Sequence, residues 1–439
     1  MCYPFFPFKM IHGRDEQVRI LSPYSEENIE INAAAACLLK LSNGSRSLEE
    51  IIAKLCNLFM SSEDEIRTRT ISFVNDFESS GLLWIKKEKM RWFDAPPPDS
   101  IFWEITNECN LRCLHCVVSA EKKHENELST QEGLALLNEW RDMRVREITF
   151  SGGEPLIRKD FFQLAYAARR NNLAISLATN GTLITPVIAD ELKILQANIQ
   201  VSLDGSTSEI YSRVRGSEIA FNQAIRGIEI LVRTGHEITI GTLISMHNVD
   251  DIPNMLKLVQ RLGAKRFRLI PFIPNGRGKS NSTLELPPER VKEVYTYLLQ
   301  QRGNWPFEIA ALEFEHTFSE PPHYRIDQTQ PSECGGALNY CTVTPIGEVL
   351  PCHYFEGVTA DSVKNQKFSY IWKYSRFLNY FRSLQISDIS GYCRQCEWLP
   401  VCRGGCKAAN FAKKTLFHSN RHCWLVTENE NVHLELDSE

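Results

Sequence analysis

Ile101-Phe-Trp-Glu-Ile-Thr106-Asn-Glu-Cys109-Asn-Leu-Arg-Cys113-Leu-His-Cys116 reads as a strand that runs directly into a cysteine loop. The apolar run 101–106 predicts the strand, so the loop sits at a strand's C-terminal end. The spacing is C-x3-C-x2-C. A loop this tight can wrap three thiolates around three irons of a [4Fe–4S] cubane, leaving the fourth iron without a protein ligand. Clusters built for electron transfer normally take four cysteines. A missing ligand means that something else binds there, and this points to catalysis. Three nearby cysteines could also bind zinc, with His115 or His124 as the fourth ligand.

Outward from this loop, strands are predicted at 101–106, 147–150, 174–178, 199–203, 237–245 and 266–271, with amphipathic helices between them. One helix opens with the capping box Ser129-x-x-Glu132. Six β/α units with mostly apolar strands predict an α/β fold: a parallel sheet covered by helices. Six units are too few to close an eight-stranded barrel, so a partial, TIM-like (β/α)6 barrel is expected. Its functional loops should lie at the strand C-terminal ends.

Residues 1–93 carry short strands at 18–21 and 28–31, then helices at 33–41, from Ser47-Leu-Glu-Glu50 to 59, and at 62–79, and a strand at 82–85. This is a winged-helix-like pattern. Asp94-Ala-Pro-Pro-Pro-Asp99 is a stiff linker over 94–100. The barrel is expected over 101–300 and a bridging segment over 301–333. Residues 334–439 are cysteine-dense and turn-rich, with one helix-like stretch near 374–384. Apolar periodicity there is too sparse for an independent core, so metal sites are expected to organise it.

The chain has 439 residues and a formal net charge of −5, which argues against a nucleic-acid binder held by a general basic field. Helix 48–59 offers only Lys54 to a phosphate backbone. No apolar run is long enough to span a bilayer, and the N-terminus lacks a signal-peptide layout. A cytoplasmic protein with no membrane partner is expected.

In that compartment the fourteen cysteines should not be read as disulfides first. Cys2, Cys37 and Cys56 are isolated. Eleven remain, a number that fits one open cluster and two fully ligated ones. The eight after residue 333 could also form two structural zinc sites.

One β/α unit after the cysteine loop comes Ser151-Gly-Gly-Glu-Pro155. The glycines let the backbone approach a ligand closely, and the carboxylate can accept from an ammonium group. Together the two motifs resemble the radical S-adenosylmethionine (SAM) superfamily. The resemblance implies that the amino and carboxylate groups of SAM chelate the open iron held by Cys109, Cys113 and Cys116. Gly152, Gly153 and Glu154 would hold the methionyl end, and His115 would lie beside the adenine. Val201-Ser-Leu-Asp-Gly205 matches the fourth-strand motif, placing Ser202 near the ribose or carboxylate. Ala178-Thr-Asn-Gly181 matches the third-strand turn. Arg215, in Arg-Val-Arg-Gly216, matches the arginine that pairs with the SAM carboxylate. The implied chemistry is reductive cleavage of SAM to a 5′-deoxyadenosyl radical that removes a hydrogen atom from the substrate.

Cys334, then Gly347 and Cys352, then Cys393-x2-Cys396-x5-Cys402-x3-Cys406 and Cys423, resemble the SPASM domain and its two auxiliary [4Fe–4S] clusters. The resemblance assigns Cys334, Cys341, Cys352 and Cys406 to the first, and Cys393, Cys396, Cys402 and Cys423 to the second. Some relatives leave the iron at the Cys341 position open. His353 stands where the sulfatase-maturing branch has a basic aspartate, which argues against that activity while leaving a proton acceptor. The N-terminal unit resembles the peptide-recognition domain related to the pyrroloquinoline quinone peptide chaperone, which binds a leader by strand addition.

The expected protein is therefore a radical SAM peptide maturase with three [4Fe–4S] clusters and SAM. It would bind a ribosomal precursor through its leader, take electrons from flavodoxin or ferredoxin, and form a thioether or carbon–carbon cross-link. The alternatives are a SPASM enzyme that oxidises a protein side chain or small metabolite, and an iron–sulfur winged-helix regulator.

Overall fold

The computed structural model describes residues 2–12, 18–22, 24, 28–59, 61–310, 315–322, 334–355, 357–358, 360–414, 416–420 and 422–429. Much of the expected bridging segment, and the last ten residues, lie outside them. The chain opens with β1 (Tyr3–Phe5), β2 (Met10–His12), β3 (Val18–Ile20) and β4 (Ile29–Ile31). Helices α1 (Ala33–Leu41), α2 (Leu48–Leu58) and α3 (Glu63–Ser79) follow, then β5 (Trp84–Lys86). Strands β2, β3 and β4 form an antiparallel sheet in that order, and β1 pairs antiparallel with β5. The capping box of α2 is formed: the Ser47 hydroxyl accepts from the Glu50 amide at 3.2 Å and Glu50 accepts from the Ser47 amide at 2.7 Å.

The barrel strands are β6 (Ser100–Thr106), β7 (Glu147–Gly152), β8 (Ala174–Thr179), β9 (Asn198–Ser202), β10 (Ile238–Ile244) and β11 (Arg266–Pro271). Between them run α4 (Thr130–Asp142), α5 (Phe161–Arg170), α6 (Pro186–Ile194), α7 (Ser208–Arg215), α8 (Glu218–Arg233) and α9 (Ile252–Leu262). All six strands are parallel and pair in sequence order. Each helix turns an apolar stripe to the sheet; α9 buries Ile252, Met255, Leu256, Val259 and Leu262. The six-unit barrel is the one the sequence predicts.

The sheet does not stop at six strands. After α10 (Pro288–Gln301), β12 (Glu308–Ile309) extends it beyond β11. On the other edge β13 (Tyr340–Val343) pairs parallel with β6, and β14 (Val349–Leu350) pairs antiparallel with β13. The C-terminal region thus shares the barrel's sheet. It ends in α11 (Phe368–Tyr374), α12 (Arg376–Arg382), α13 (Leu399–Cys402) and α14 (Lys407–Ala412).

The expectation of a core-poor C-terminal region is corrected. Phe355, Phe377, Tyr380, Phe381 and Phe411 are all buried. They pack on the N-terminal unit: Phe5 stacks on Tyr380 at 4.1 Å between ring centroids, and Trp84 meets Phe377, Tyr380 and Phe411 at about 6 Å. The stretch near 374–384 is two helices broken at Ser375, which caps the second. An apolar core assembled from two distant segments shows no helical period within either, which is why it was missed.

Candidate active site

The cysteine loop leaves β6 at Thr106 and is zipped onto the end of β7. Gly153 donates to the Thr106 carbonyl and Glu154 to the Glu108 carbonyl, each at 2.8 Å. A Cβ on Gly152 would collide with the Thr106 carbonyl, and one on Gly153 with that of Glu108. Gly152 also sits at φ +126°, where only glycine is comfortable. These glycines therefore serve first to bring two backbone segments together. They still line the cavity beneath the loop.

Glu154 is fully buried beside that cavity. It accepts from the Thr179 hydroxyl and the Asn180 amide, each at 2.8 Å, and from the Leu156 amide at 3.2 Å. Burial pushes its pKa up against these donors. Three protein donors fix the carboxylate, two on Oε1 and one on Oε2. Glu154 ties the third-strand turn to the second, and Asn180 continues the tie, donating to Asn110 at 2.8 Å.

Arg215 and His115 lie under the loop, at the wall expected of them, and both face Asp204, which the sequence reading left unassigned. Arg215 Nε donates to Asp204 Oδ2 at 2.6 Å, and its Nη1 is 3.9 Å from the Cys113 sulfur. Asp204 Oδ1 accepts from the Leu243 amide at 2.8 Å. The His115 Nε2 lies 3.7 Å from Asp204. Burial lowers the His115 pKa to about 4, so the ring is neutral. Its Nδ1 is buried with no hydrogen bond of good geometry among the described residues, and the Val214 backbone lies beside the ring. Ser202 lines the same cavity.

A second clasp also escaped the sequence reading. Arg277 donates to the Cys113 and Ala120 carbonyls at 2.8 Å each, and a Cβ on Gly276 would collide with the Cys116 and Val117 carbonyls. No motif marks these residues, because they act on backbone atoms.

Cys109, Cys113 and Cys116 line one cavity of about 410 Å³ together with Ser151, Gly152, Gly153, Ser202 and Arg215. Burial raises the Cys109 and Cys113 thiols to about 11 and about 12; iron would displace those protons. His124 is exposed and its Nδ1 accepts from the Asn126 amide at 3.1 Å, which leaves it no part in the loop. Among the described residues no three Cys, His, Asp or Glu side chains converge as ligands of one metal ion do. Three thiols beside a roomy cavity that Arg215 and the neutral His115 also line fit a cluster with SAM on its open iron.

In the C-terminal region Cys334, Cys352 and Cys406 gather beside the Tyr340 ring. Cys341 does not join them. Side chains alternate along a strand: Tyr340 faces the barrel lumen, whereas Cys341 pairs with the core residue Ile101 on the other face, near Arg382. Its assignment as a ligand is corrected. Cys406 lines the same cavity as the first three cysteines. Cys393, Cys396, Cys402 and Cys423 line a separate small pocket with Trp398 and His316, as four ligands of one closed cluster would. His353 lines the main cavity, stacked on Phe102 at 4.9 Å. Burial, with help from Arg268, lowers its pKa to about 4, which leaves a neutral ring and a weak base at pH 7.

Comparison with known proteins agrees with this geometry. The radical SAM superfamily profile matches residues 103–259, the SPASM iron–sulfur cluster-binding domain 334–397, and coenzyme PQQ synthesis protein D (PqqD) 18–83. An AdoMet-dependent heme synthase of Oleidesulfovibrio alaskensis is 32% identical over 72% of this chain and 84% of its own. The mycofactocin maturase MftC of Mycolicibacterium smegmatis is 30% identical over 73% and 80%. Streptococcus suis SuiB, in structures bound to S-adenosylmethionine and to its precursor peptide SuiA, shares the fold with a TM-score of 0.61, over 92% of this chain and 95% of SuiB, at 17% and 15% identity. Among the described residues no helix is long and apolar enough to cross a membrane. The chain is an enzyme of the radical SAM superfamily, of the kind that carries a SPASM iron–sulfur domain behind the barrel and a PqqD-like domain in front of it.

Proposed function

We propose that this enzyme modifies a ribosomally made precursor peptide, closing an intrapeptide thioether or carbon–carbon cross-link. The observation that carries the reading is the shared cavity: Cys406 of the C-terminal region and the three loop cysteines line one space. A substrate in that space would lie between two sets of cysteines, and the clusters that they would hold would supply one-electron chemistry on either side of it. Three clusters are proposed: an open one on Cys109, Cys113 and Cys116, a second on Cys334, Cys352 and Cys406, and a closed one on Cys393, Cys396, Cys402 and Cys423.

SAM bound at the first cluster supplies the 5′-deoxyadenosyl radical that abstracts hydrogen. The chain's own residues orient and enclose. Arg215, anchored by Asp204, offers its remaining N–H donors to the methionyl carboxylate. The neutral His115 offers its ring toward the adenine side, and Ser202 a hydroxyl toward the ribose. Backbone groups of Gly152 and Gly153 face the methionyl end. His353 lines the cavity and remains the candidate acceptor for a substrate proton. The leader would add a strand to the edge of β4, which is unpaired among the described residues in the sheet order β2-β3-β4. A flavodoxin or ferredoxin in the cytoplasm would supply the electron.

The test is the reconstituted full chain with SAM, dithionite and the short peptides encoded beside its gene. The reading requires 5′-deoxyadenosine and a peptide that has lost two hydrogens. A small-metabolite substrate is the second reading, favoured by the likeness to heme synthases. It would give 5′-deoxyadenosine with no modified peptide.

A further inference from the structure

Closed barrels of this type fill their interior with bulky apolar side chains. Here the cavity under the cysteine loop meets a second one of about 640 Å³ toward the strand N-termini, and Phe102, Ala178, Gln200, Arg268 and His353 line both. Arg268 stands at this junction. It is in register with Gly241 of β10, which is in register with Ser202 of β9. Gly241 puts no side chain into the row, and a Cβ there would come within 3.0 Å of Gln200. The Gln200 side chain lies over Gly241 in that row and reaches the Arg268 guanidinium.

Charge distinguishes Arg268 from its neighbours. Arg215 is paired with Asp204 at 2.6 Å and Arg266 with Glu308 at 2.8 Å. Arg268 is exposed to the lumen, with no carboxylate at ion-pair distance among the described residues; its hydrogen bond is from Nη1 to Gln200 Oε1 at 3.4 Å. His353, at the same junction, is neutral. A guanidinium with most of its five donors free presents a fork shaped for a carboxylate.

We propose that Arg268, steadied by Gln200, is the subsite for a carboxylate of the substrate. It seats that group at the cavity floor and sets which carbon stands under the loop, next to Ser202. For the source of the carboxylate the proposal rests on the peptide reading: either the C-terminal carboxylate or an acidic side chain within reach.

Three probes test it on the cluster-loaded full chain with SAM, by saturation-transfer NMR. They are N-acetylated dialanine with a free C-terminus, its C-terminal amide, and N-acetylglutamylalanine amide. Binding of the first marks a C-terminal carboxylate, and binding of the third an acidic side chain. The neutral amide should not bind. Arg268→Gln should weaken binding by about tenfold or more, as loss of a charge-assisted pair does, while Arg268→Lys keeps part of it. Arg266→Gln, which removes a lumen arginine already paired, should bind as the unaltered protein does. The proposal is overturned if neither acid binds, if the amide binds equally, or if Arg268→Gln binds like the unaltered protein. Failure of the peptide reading would look different: carboxylate binding that still depends on Arg268, with no precursor modified.

Discussion

The Arg215 guanidinium is held by Asp204 at 2.6 Å, in an ion pair whose two side chains are 9% and 0% exposed. The pair fixes a cation beside the Cys113 sulfur without using up its donors. Asp204→Asn keeps the shape and removes the charge. Breaking a buried pair from one side costs about 3–5 kcal/mol, because the remaining charge is left uncompensated. Urea unfolding of cluster-free protein should show a loss of that order. A change below about 1 kcal/mol, the size of an ordinary surface substitution, would sink the argument.

Gly153→Ala should act on the iron content. Its Cβ would collide with the Glu108 carbonyl, one residue before Cys109, and backbone cannot swing aside as a side chain can. The loop would be forced off β7. Iron per chain should fall from about twelve toward about eight after reconstitution, the difference of one four-iron cluster. Retention of full iron would mean that the loop tolerates the displacement.

Cys341 and Cys352 should separate cleanly. Cys341 pairs with Ile101 on the strand face away from the lumen, so Cys341→Ala should keep its iron and the spectra of all clusters. Cys352→Ala should lose the second cluster. Electron paramagnetic resonance of the dithionite-reduced proteins reads both. Loss of the same signal from both variants would restore Cys341 as a ligand.

Phe5 and Tyr380 join the two ends of the chain at 4.1 Å with their rings 13° from parallel. Phe5→Ala should cost about 3–5 kcal/mol, as buried aromatic truncations do. In a double-mutant cycle with Tyr380→Ala the coupling should be about 0.5–1.5 kcal/mol. Additive effects in thermal melts would show that the N-terminal unit does not rest on α12.

Some of this was legible in the sequence for plain physical reasons. The helix-facing positions of the barrel strands are apolar and recur at every second residue, so all six strands, from Ser100–Thr106 to Arg266–Pro271, could be located. Ser47 with Glu50 and Ser129 with Glu132 announce helix starts through short-range bonds, and both capping boxes form. Asp204 was harder. It sits inside the quoted motif Val201–Gly205, but its partner lies eleven residues away across a loop and helix. Arg277 grips carbonyls 157 and 164 residues distant, and carbonyls carry no sequence. Cys341 shows the limit of a period of two: alternation says that Tyr340 and Cys341 face opposite ways, while only the pairing with β6 says which way is inward.

That pairing of β13 with β6 has a consequence for how the enzyme can change over time. The strand that launches the radical-generating loop is flanked on its open side by a strand from the SPASM region, in register from Tyr340↔Ser100 to Val343↔Trp103. Deleting the C-terminal region would bare the backbone of β6 as a raw sheet edge, which invites association with other chains. The auxiliary iron sites are therefore not a detachable accessory. A lineage could rebuild the cysteine set of Cys334, Cys352 and Cys406 to suit a new substrate, but it would have to keep β13, which lies between the first two in the chain, because the catalytic sheet is flanked by it.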